Sequence, residues 1–192
     1  MVILDRRACA DDADWLRRAR HAGDWIGDLP ALVQLRLRGL DPAHRAALLD
    51  QLGPPAPAHA LSGDTTEAAR RGFSWVHWPE DNIPAAPPAL RATASVHSAD
   101  AARRAAQAGA AAVLFGPVFP PRSKPGAGVG LGALREVVAA SPLPVLALGG
   151  IDLHNLEQLP AVAGVAALTP FCRGDLGAIL PAWLERCKKF LF

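Results

Sequence analysis

Four groups of residues are of types that do chemistry. Gln34, Arg36 and Arg38 recur at a spacing of two, which on an extended strand sends all three side chains to one side while Val33, Leu35 and Leu37 take the other. Two arginines on one face of a covered strand require an anionic partner, either a bound ligand or an internal carboxylate. The second group is the run from Leu114 to Lys124, Leu-Phe-Gly-Pro-Val-Phe-Pro-Pro-Arg-Ser-Lys. Its prolines stiffen the chain beyond a strand and deliver Arg122, Ser123 and Lys124 as clustered donors suited to an anion. The third pairs Ala147-Leu148-Gly149-Gly150-Ile151 with Leu168-Thr169-Pro170. Two glycines let the backbone approach a ligand and aim N–H groups at a phosphate, and Thr169 adds a hydroxyl. The same glycines are equally what a tight strand-to-helix turn requires. The fourth group is His77, Ser95 and His97. Histidine is the side chain suited to proton transfer near neutral pH, so both are candidate acids or bases, although a histidine ending a strand is often a structural hydrogen-bonding residue. His21, His44, His59 and His154 have no partner identifiable from the sequence.

These groups must be positioned by the elements around them. Short apolar or branched runs at 2–4, 32–37, 58–61, 74–77, 92–97, 112–115, 144–148 and 165–168 read as strands. Between most of them lie amphipathic segments at 11–20, after Asp41-Pro42, at 65–71, from Ser98 to Gln107, at 131–140 and at 153–158, with a final helix carrying Leu176, Ile179, Leu180, Trp183, Leu184 and Cys187 on one stripe. After the fourth strand, Pro79, Pro84, Pro87 and Pro88 replace the expected helix with a loop or a single turn. Eight strands alternating with helices predict an α/β (β/α)8 barrel, compact against the roughly 250 residues usual for that fold. An open doubly wound sheet is the alternative, but its glycine-rich fingerprint is missing after the first strand.

The 192 residues are 51% hydrophobic and 20% charged, which suits one domain spanning 1–192. The formal net charge of +2 comes without a run of five like charges, so no nucleic acid partner is expected. No segment has the length and apolarity of a signal peptide or a membrane span. Cys9, Cys172 and Cys187 show no C-x-x-C spacing, so neither a disulfide framework nor a zinc site is expected, and a reducing cytoplasm fits best.

The motifs VQLRLR, SVHS, FGPVFPPRSK and LALGGI, in this order along the chain, together resemble the superfamily of thiamine phosphate synthases and TenI-type thiazole tautomerases. The resemblance spans almost the whole chain and implies a (β/α)8 barrel that binds phosphate or pyrophosphate ligands. By it, Gly149, Gly150 and Thr169 hold the phosphate of a thiazole, while Arg36, Arg38, Ser123 and Lys124 grip the pyrophosphate of an aminopyrimidine. Arg38 stands where a lysine is usual and Pro121 where a threonine is usual. Synthases of this kind hold magnesium through an Asn-Asp pair ending the third strand and an aspartate after the fourth. Here those positions are Ser62-Gly63 and Asn82, with Asp64 and Asp81 each displaced by one residue.

No cofactor is therefore expected, and magnesium only for a synthase. The tautomerase branch in turn uses a histidine where this chain has Pro117, so a tautomerase would need His97 or His77 as its base, with Lys124 as a further catalytic candidate. The expectation formed on the missing carboxylates is a TenI-like isomerase. The alternatives are a divergent synthase and a non-catalytic phosphate-binding protein. Family members often dimerise, so a homodimer is a candidate assembly.

Overall fold

The computed structural model describes residues 1–27, 29–87, 89–120 and 126–190. The apolar runs become eight parallel strands, β1 (Val2–Asp5), β2 (Val33–Arg36), β3 (His59–Ser62), β4 (Trp75–Trp78), β5 (Arg91–Val96), β6 (Ala112–Phe115), β7 (Val145–Leu148) and β8 (Gly164–Ala166). They are hydrogen-bonded to one another in chain order. The ring closes just past β8, where Val2 bridges Ala167, the Ile3 N–H donates to the Ala167 carbonyl at 2.9 Å, and the Ala167 N–H donates to the Met1 carbonyl at 3.2 Å. Parallel neighbours need crossover connections. These are supplied by α1 (Asp12–Ile26), α2 (Pro42–Leu52), α3 (Thr65–Arg70), α4 (Ala99–Gln107) and α5 (Gly130–Ala140), with α6 (Thr169–Arg173) and α7 (Leu176–Cys187) following β8. The result is the predicted (β/α)8 barrel. No helix among the described residues is long and apolar enough to cross a membrane.

Helix starts fall where side-chain oxygens can accept the first free N–H groups. Asp11 accepts from Asp14, Asp41 from His44, Asp64 from Glu67 and Ser98 from Ala101. The proline-rich stretch after β4 forms only a 3-10 turn, Glu80–Asn82, as the sequence predicts. The predicted helix at 153–158 also shrinks to a 3-10 turn, Leu156–Gln158. Local side chains have taken its backbone groups: Asp152 accepts the N–H groups of His154 and Asn155 at 2.9 and 3.1 Å, and Asn155 donates to the Gly150 carbonyl at 2.8 Å. The eighth strand is shorter than predicted, because the chain turns at Leu168 into the short helix α6.

Two apolar shells hold the barrel. Outside it, Leu4, Val33, Leu35, Val76 and Val113 pack with Trp15, Ala19, Leu48, Ala105 and Leu134 of the helices. Inside it, Ile3, Leu114 and Ala166 form a separate cluster with Met1, Leu146, Leu148 and Leu168. The residues of that cluster come from β1, β6, β7, β8 and their ends. The opposite wall presents the buried polar side chains Gln34, His77 and Thr93. The interior is thus apolar on one side and polar on the other, and the polar side is where the candidate site lies.

Below that wall, His59 fixes α1 to β3. It is buried, its Nδ1 accepts the Ala56 N–H at 3.1 Å, and its Nε2 donates to the Ala19 carbonyl at 2.9 Å. A Cβ on Gly23 would stand 2.5 Å from that Nε2 and 3.0 Å from the Ala56 Cβ. Helix propensity alone would favour Gly23→Ala by about 1 kcal/mol. Overpacking against a ring held at both nitrogens costs about 1–3 kcal/mol and wins. We expect Gly23→Ala to lower the urea midpoint of unfolding; an unchanged or raised midpoint would show that the ring yields.

Candidate active site

Two cavities open at opposite ends of the barrel. The one at the N-terminal mouth, about 560 Å³, is lined by Trp25, Trp75, Trp183 and Arg91 among others, and Arg91 lies 4.0 Å over the Trp75 ring. The other, about 580 Å³, sits over the C-terminal strand ends and gathers Gln34, Arg36, Arg38, Ser62, His77, Ser95, His97, Gly149, Gly150 and Thr169. Barrels of this class carry their chemistry at the C-terminal face. Every sequence-predicted site residue that the structure describes lines this second cavity. Ser123 and Lys124, with Pro121 and Arg122, lie outside the described residues.

Strand β2 delivers its polar face inward, as its alternation predicts, with Val33, Leu35 and Leu37 buried on the other side. Gln34 is 3% exposed and its Nε2 lies 3.4 Å from the Ser62 Oγ, while its Oε1 has no hydrogen-bond partner among the described residues. A buried amide oxygen without a donor is costly. Arg36 reaches Asp5 at 3.7 Å, so the internal carboxylate is present as well as the open cavity. Asp5, at the end of β1, is a site residue that the sequence analysis missed. Its signal was a single carboxylate ending an apolar strand, but nothing in the sequence said that β1 lies beside β2 with Asp5 level with Arg36. Arg38 lies beyond the end of β2, exposed on the rim of the cavity.

His77 and His97 meet different fates. His77 is buried, with Nδ1 at 2.9 Å from the Thr93 hydroxyl and Nε2 at 2.9 Å from the Ser95 hydroxyl. Burial pushes its imidazole down to about 3, and the Arg36 guanidinium adds to the effect. A neutral ring bonded at both nitrogens orients Ser95 toward the cavity and is a poor proton acceptor. His97 sits on the rim, where the Glu80 carboxylate accepts from its N–H and approaches its Nδ1, both at 2.7 Å. Glu80 also meets Arg104 at 3.2 Å. Glu80 was likewise missed by sequence analysis, since its partners come from β5 and α4.

The paired glycines serve the turn and the site together. Gly149 and Gly150 have φ of 97° and 63°, conformations that glycine adopts freely. The segment after β6 lies on them: the Val118 N–H donates to the Leu148 carbonyl at 2.8 Å and the Phe119 N–H to the Gly149 carbonyl at 3.0 Å. A Cβ on Gly149 would come 2.5 Å from the Pro117 Cα, and one on Gly150 2.6 Å from the Pro120 carbonyl. Among the described residues, neither glycine N–H donates to a protein acceptor. Thr169 borders the same end of the cavity.

The magnesium that a synthase would use does not fit the described residues. Gly63 has no side chain and a φ of 124°, Asn82 is exposed on the 3-10 turn, and Asp64 is engaged as the cap of α3, accepting the Glu67 N–H at 2.7 Å. Among the described residues no three His, Cys, Asp or Glu side chains converge as a metal site. A hard dication wants several anionic or carbonyl oxygens in one place.

The buried histidines make stability depend on pH. His77 and His59 are both held below the ordinary histidine value, chiefly by burial. Below about pH 6.5 the unfolded chain takes up protons at these positions and the folded chain does not, so stability falls with falling pH by up to about 1.4 kcal/mol per unit for each group. The Met1 amine, lowered to about 6 by burial, acts in the same direction at higher pH. We therefore expect the urea midpoint to fall between about pH 6 and pH 5, and a His77→Gln variant to show a shallower dependence. Identical slopes for both proteins would show that His77 titrates normally in the folded state.

Comparison with known proteins places this geometry. Residues 1–170 match the family model described as thiamine monophosphate synthase. A thiamine-phosphate synthase of Methanoculleus marisnigri is 35% identical over 180 residues, covering 88% of this chain and 85% of that protein. One from Roseiflexus sp. is 32% identical, covering 88% of this chain and 75% of that protein. Among solved structures, the thiamine phosphate pyrophosphorylase of Pyrococcus furiosus superposes with a TM-score of 0.77 at 24% identity, covering 100% of this chain and 96% of that one. A 3-keto-L-gulonate-6-phosphate decarboxylase of Vibrio cholerae, at 12% identity and a TM-score of 0.68, shares the fold alone. By the family model and these relatives together, the chain belongs to the thiamine monophosphate synthase family.

Proposed function

We propose that the chain is a transferase that joins a phosphorylated thiazole to hydroxymethylpyrimidine pyrophosphate, the reaction for which its relatives are named. The observation that carries this reading is the Gln34 Oε1, buried and without a donor among the described residues, on a residue lining a cavity that also holds two arginines. An aminopyrimidine brings an exocyclic N–H to satisfy that oxygen, and its pyrophosphate brings an anion to Arg38 on the rim and to Arg36, which also reaches Asp5 at 3.7 Å. The N–H groups of Gly149 and Gly150 and the Thr169 hydroxyl then receive the thiazole phosphate on the facing wall. Ser123 and Lys124 are assigned to the pyrophosphate by their motif alone.

The step balances without a protein base. The lone pair of the thiazole nitrogen forms a C–N bond to the pyrimidine methylene carbon, and the C–O electron pair leaves with pyrophosphate. The product is a quaternary thiazolium, and no proton moves. What the protein must supply is orientation of the two rings and neutralisation of charge growing on the leaving group. Guanidinium groups do the latter well, because their fork matches phosphate oxygens.

A tautomerase makes the opposite demand, for a base poised at a ring carbon. His77 is depressed to about 3 with both nitrogens bonded, and the His97 side chain is 66% exposed against Glu80. Neither is arranged for that work, and the named relatives are synthases. The coupling reading therefore replaces the TenI-like expectation.

The test supplies both substrates and measures thiamine phosphate by fluorescence after oxidation, together with released pyrophosphate. We expect turnover, and a loss of about 100-fold in kcat/KM for Arg36→Gln. Thiazole phosphate affinity should be unchanged in that variant. Binding of both ligands with no product would overturn the reading in favour of a non-catalytic binder.

A further inference from the structure

We infer that the pyrophosphate half of the cavity is built to take the anion on arginine side chains without a resident divalent cation, with Arg45 filling the place behind Ser62 and Gly63. This rests on the reading of the cavity as a pyrophosphate site.

One of the positions from which the family resemblance draws its metal ligands, Ser62-Gly63, has a guanidinium against it, and the other, Asn82, is uncharged. The Arg45 Nη2 donates to the Ser62 carbonyl at 3.3 Å, and it lies 3.6 Å from where a Cβ on Gly63 would be. A side chain at 63 would also have to adopt a φ of 124°, which L residues rarely do. A carboxylate introduced there would meet a guanidinium before it met a metal, and a metal placed there would face like charge within a few ångströms.

Of the carboxylates around this place, Asp81 lines the cavity alone from the exposed 3-10 turn, Asp152 accepts the N–H groups of His154 and Asn155, and three others are held in ion pairs. Glu67 pairs with Arg45 at 2.7 Å and with Arg71 at 3.5 Å. Asp5 lies 3.7 Å from both Arg7 and Arg36. Glu80 is shared by His97 and Arg104. Each of these three anions would give up an existing partner to bind a dication. Arg45 itself is 18% exposed, so its field is screened less than that of a surface arginine. The Gln34 amide joins the two walls, since it lines the cavity and contacts the Ser62 hydroxyl whose backbone Arg45 holds.

Pyrophosphate binding distinguishes the possibilities by the sign of its response to metal, because magnesium complexes pyrophosphate in solution. A site that takes the free anion loses apparent affinity when magnesium is added, and a site that takes the metal complex gains it. The experiment is calorimetric titration of the full chain with sodium pyrophosphate, once with EDTA and once with excess magnesium chloride. We expect binding in EDTA that is unchanged or weaker with magnesium. A gain of about tenfold or more on adding magnesium would overturn the inference and leave the coupling reaction standing. No binding in either buffer would overturn it together with the pyrophosphate half of the proposed function.

A second arm uses Arg45→Gln, which keeps the length and a donor but removes the charge. We expect pyrophosphate affinity in EDTA to fall about two- to fivefold, with inorganic phosphate affinity unchanged. A variant that folds, as judged by its melting curve, and binds pyrophosphate as tightly as the parent would remove Arg45 from the site. If the variant does not fold, the magnesium comparison on the parent chain still decides the main point.

Discussion

A buried polar group must be bonded, and the polar half of this barrel interior is organised by that requirement. The parallel ring excludes water from side chains that β2, β4 and β5 direct inward. His77 meets it by standing between the Thr93 and Ser95 hydroxyls, and Arg36 by reaching Asp5 on the neighbouring strand. Gln34 meets it only halfway, through Ser62, and its oxygen has no partner among the described residues.

The facing wall answers a different constraint, the close approach of two backbones. The segment 117–120 lies directly on the turn that follows β7, and Gly116, Gly149 and Gly150 leave no room for a side chain where they meet. A Cβ on Gly116 would stand 2.0 Å from the Leu148 carbonyl. Among the described residues the amides of Gly149 and Gly150 have no protein acceptor at this contact. The glycines that the close approach demands are the same ones to which the proposal assigns a phosphate, and the sequence alone offers no way to separate the two roles.

The coupling chemistry read from the cavity asks little of acid–base groups and much of positive charge. This is consistent with histidines that are buried and bonded or exposed on the rim, and with arginines on the wall and behind it. The proposed coupling releases pyrophosphate, and the physical requirement is charge placed where charge develops. Guanidinium and metal ion are alternative ways of meeting it. In this chain Gly63 and Asn82 carry no carboxylate, Glu67 is held by Arg45, and Asp81 on its exposed turn is a single carboxylate in the cavity lining.

The sequence by itself determined the architecture, because strand periodicity, capping residues and helix-stopping prolines act locally. Asp41-Pro42 starts α2, Ser98 starts α4, and the prolines after β4 remove a helix. It also determined which face of β2 would carry Gln34, Arg36 and Arg38, since alternation is a property of a single strand. It overestimated the helix at 153–158, where Asp152 and Asn155 compete for the backbone, and it missed α6. What only the tertiary structure decided is who stands opposite whom. Asp5 beside Arg36, Glu80 beneath His97 and Arg45 behind Gly63 are pairings between residues 17 to 31 positions apart. They are set by strand register and helix placement around a closed ring, and no local pattern in the chain encodes them.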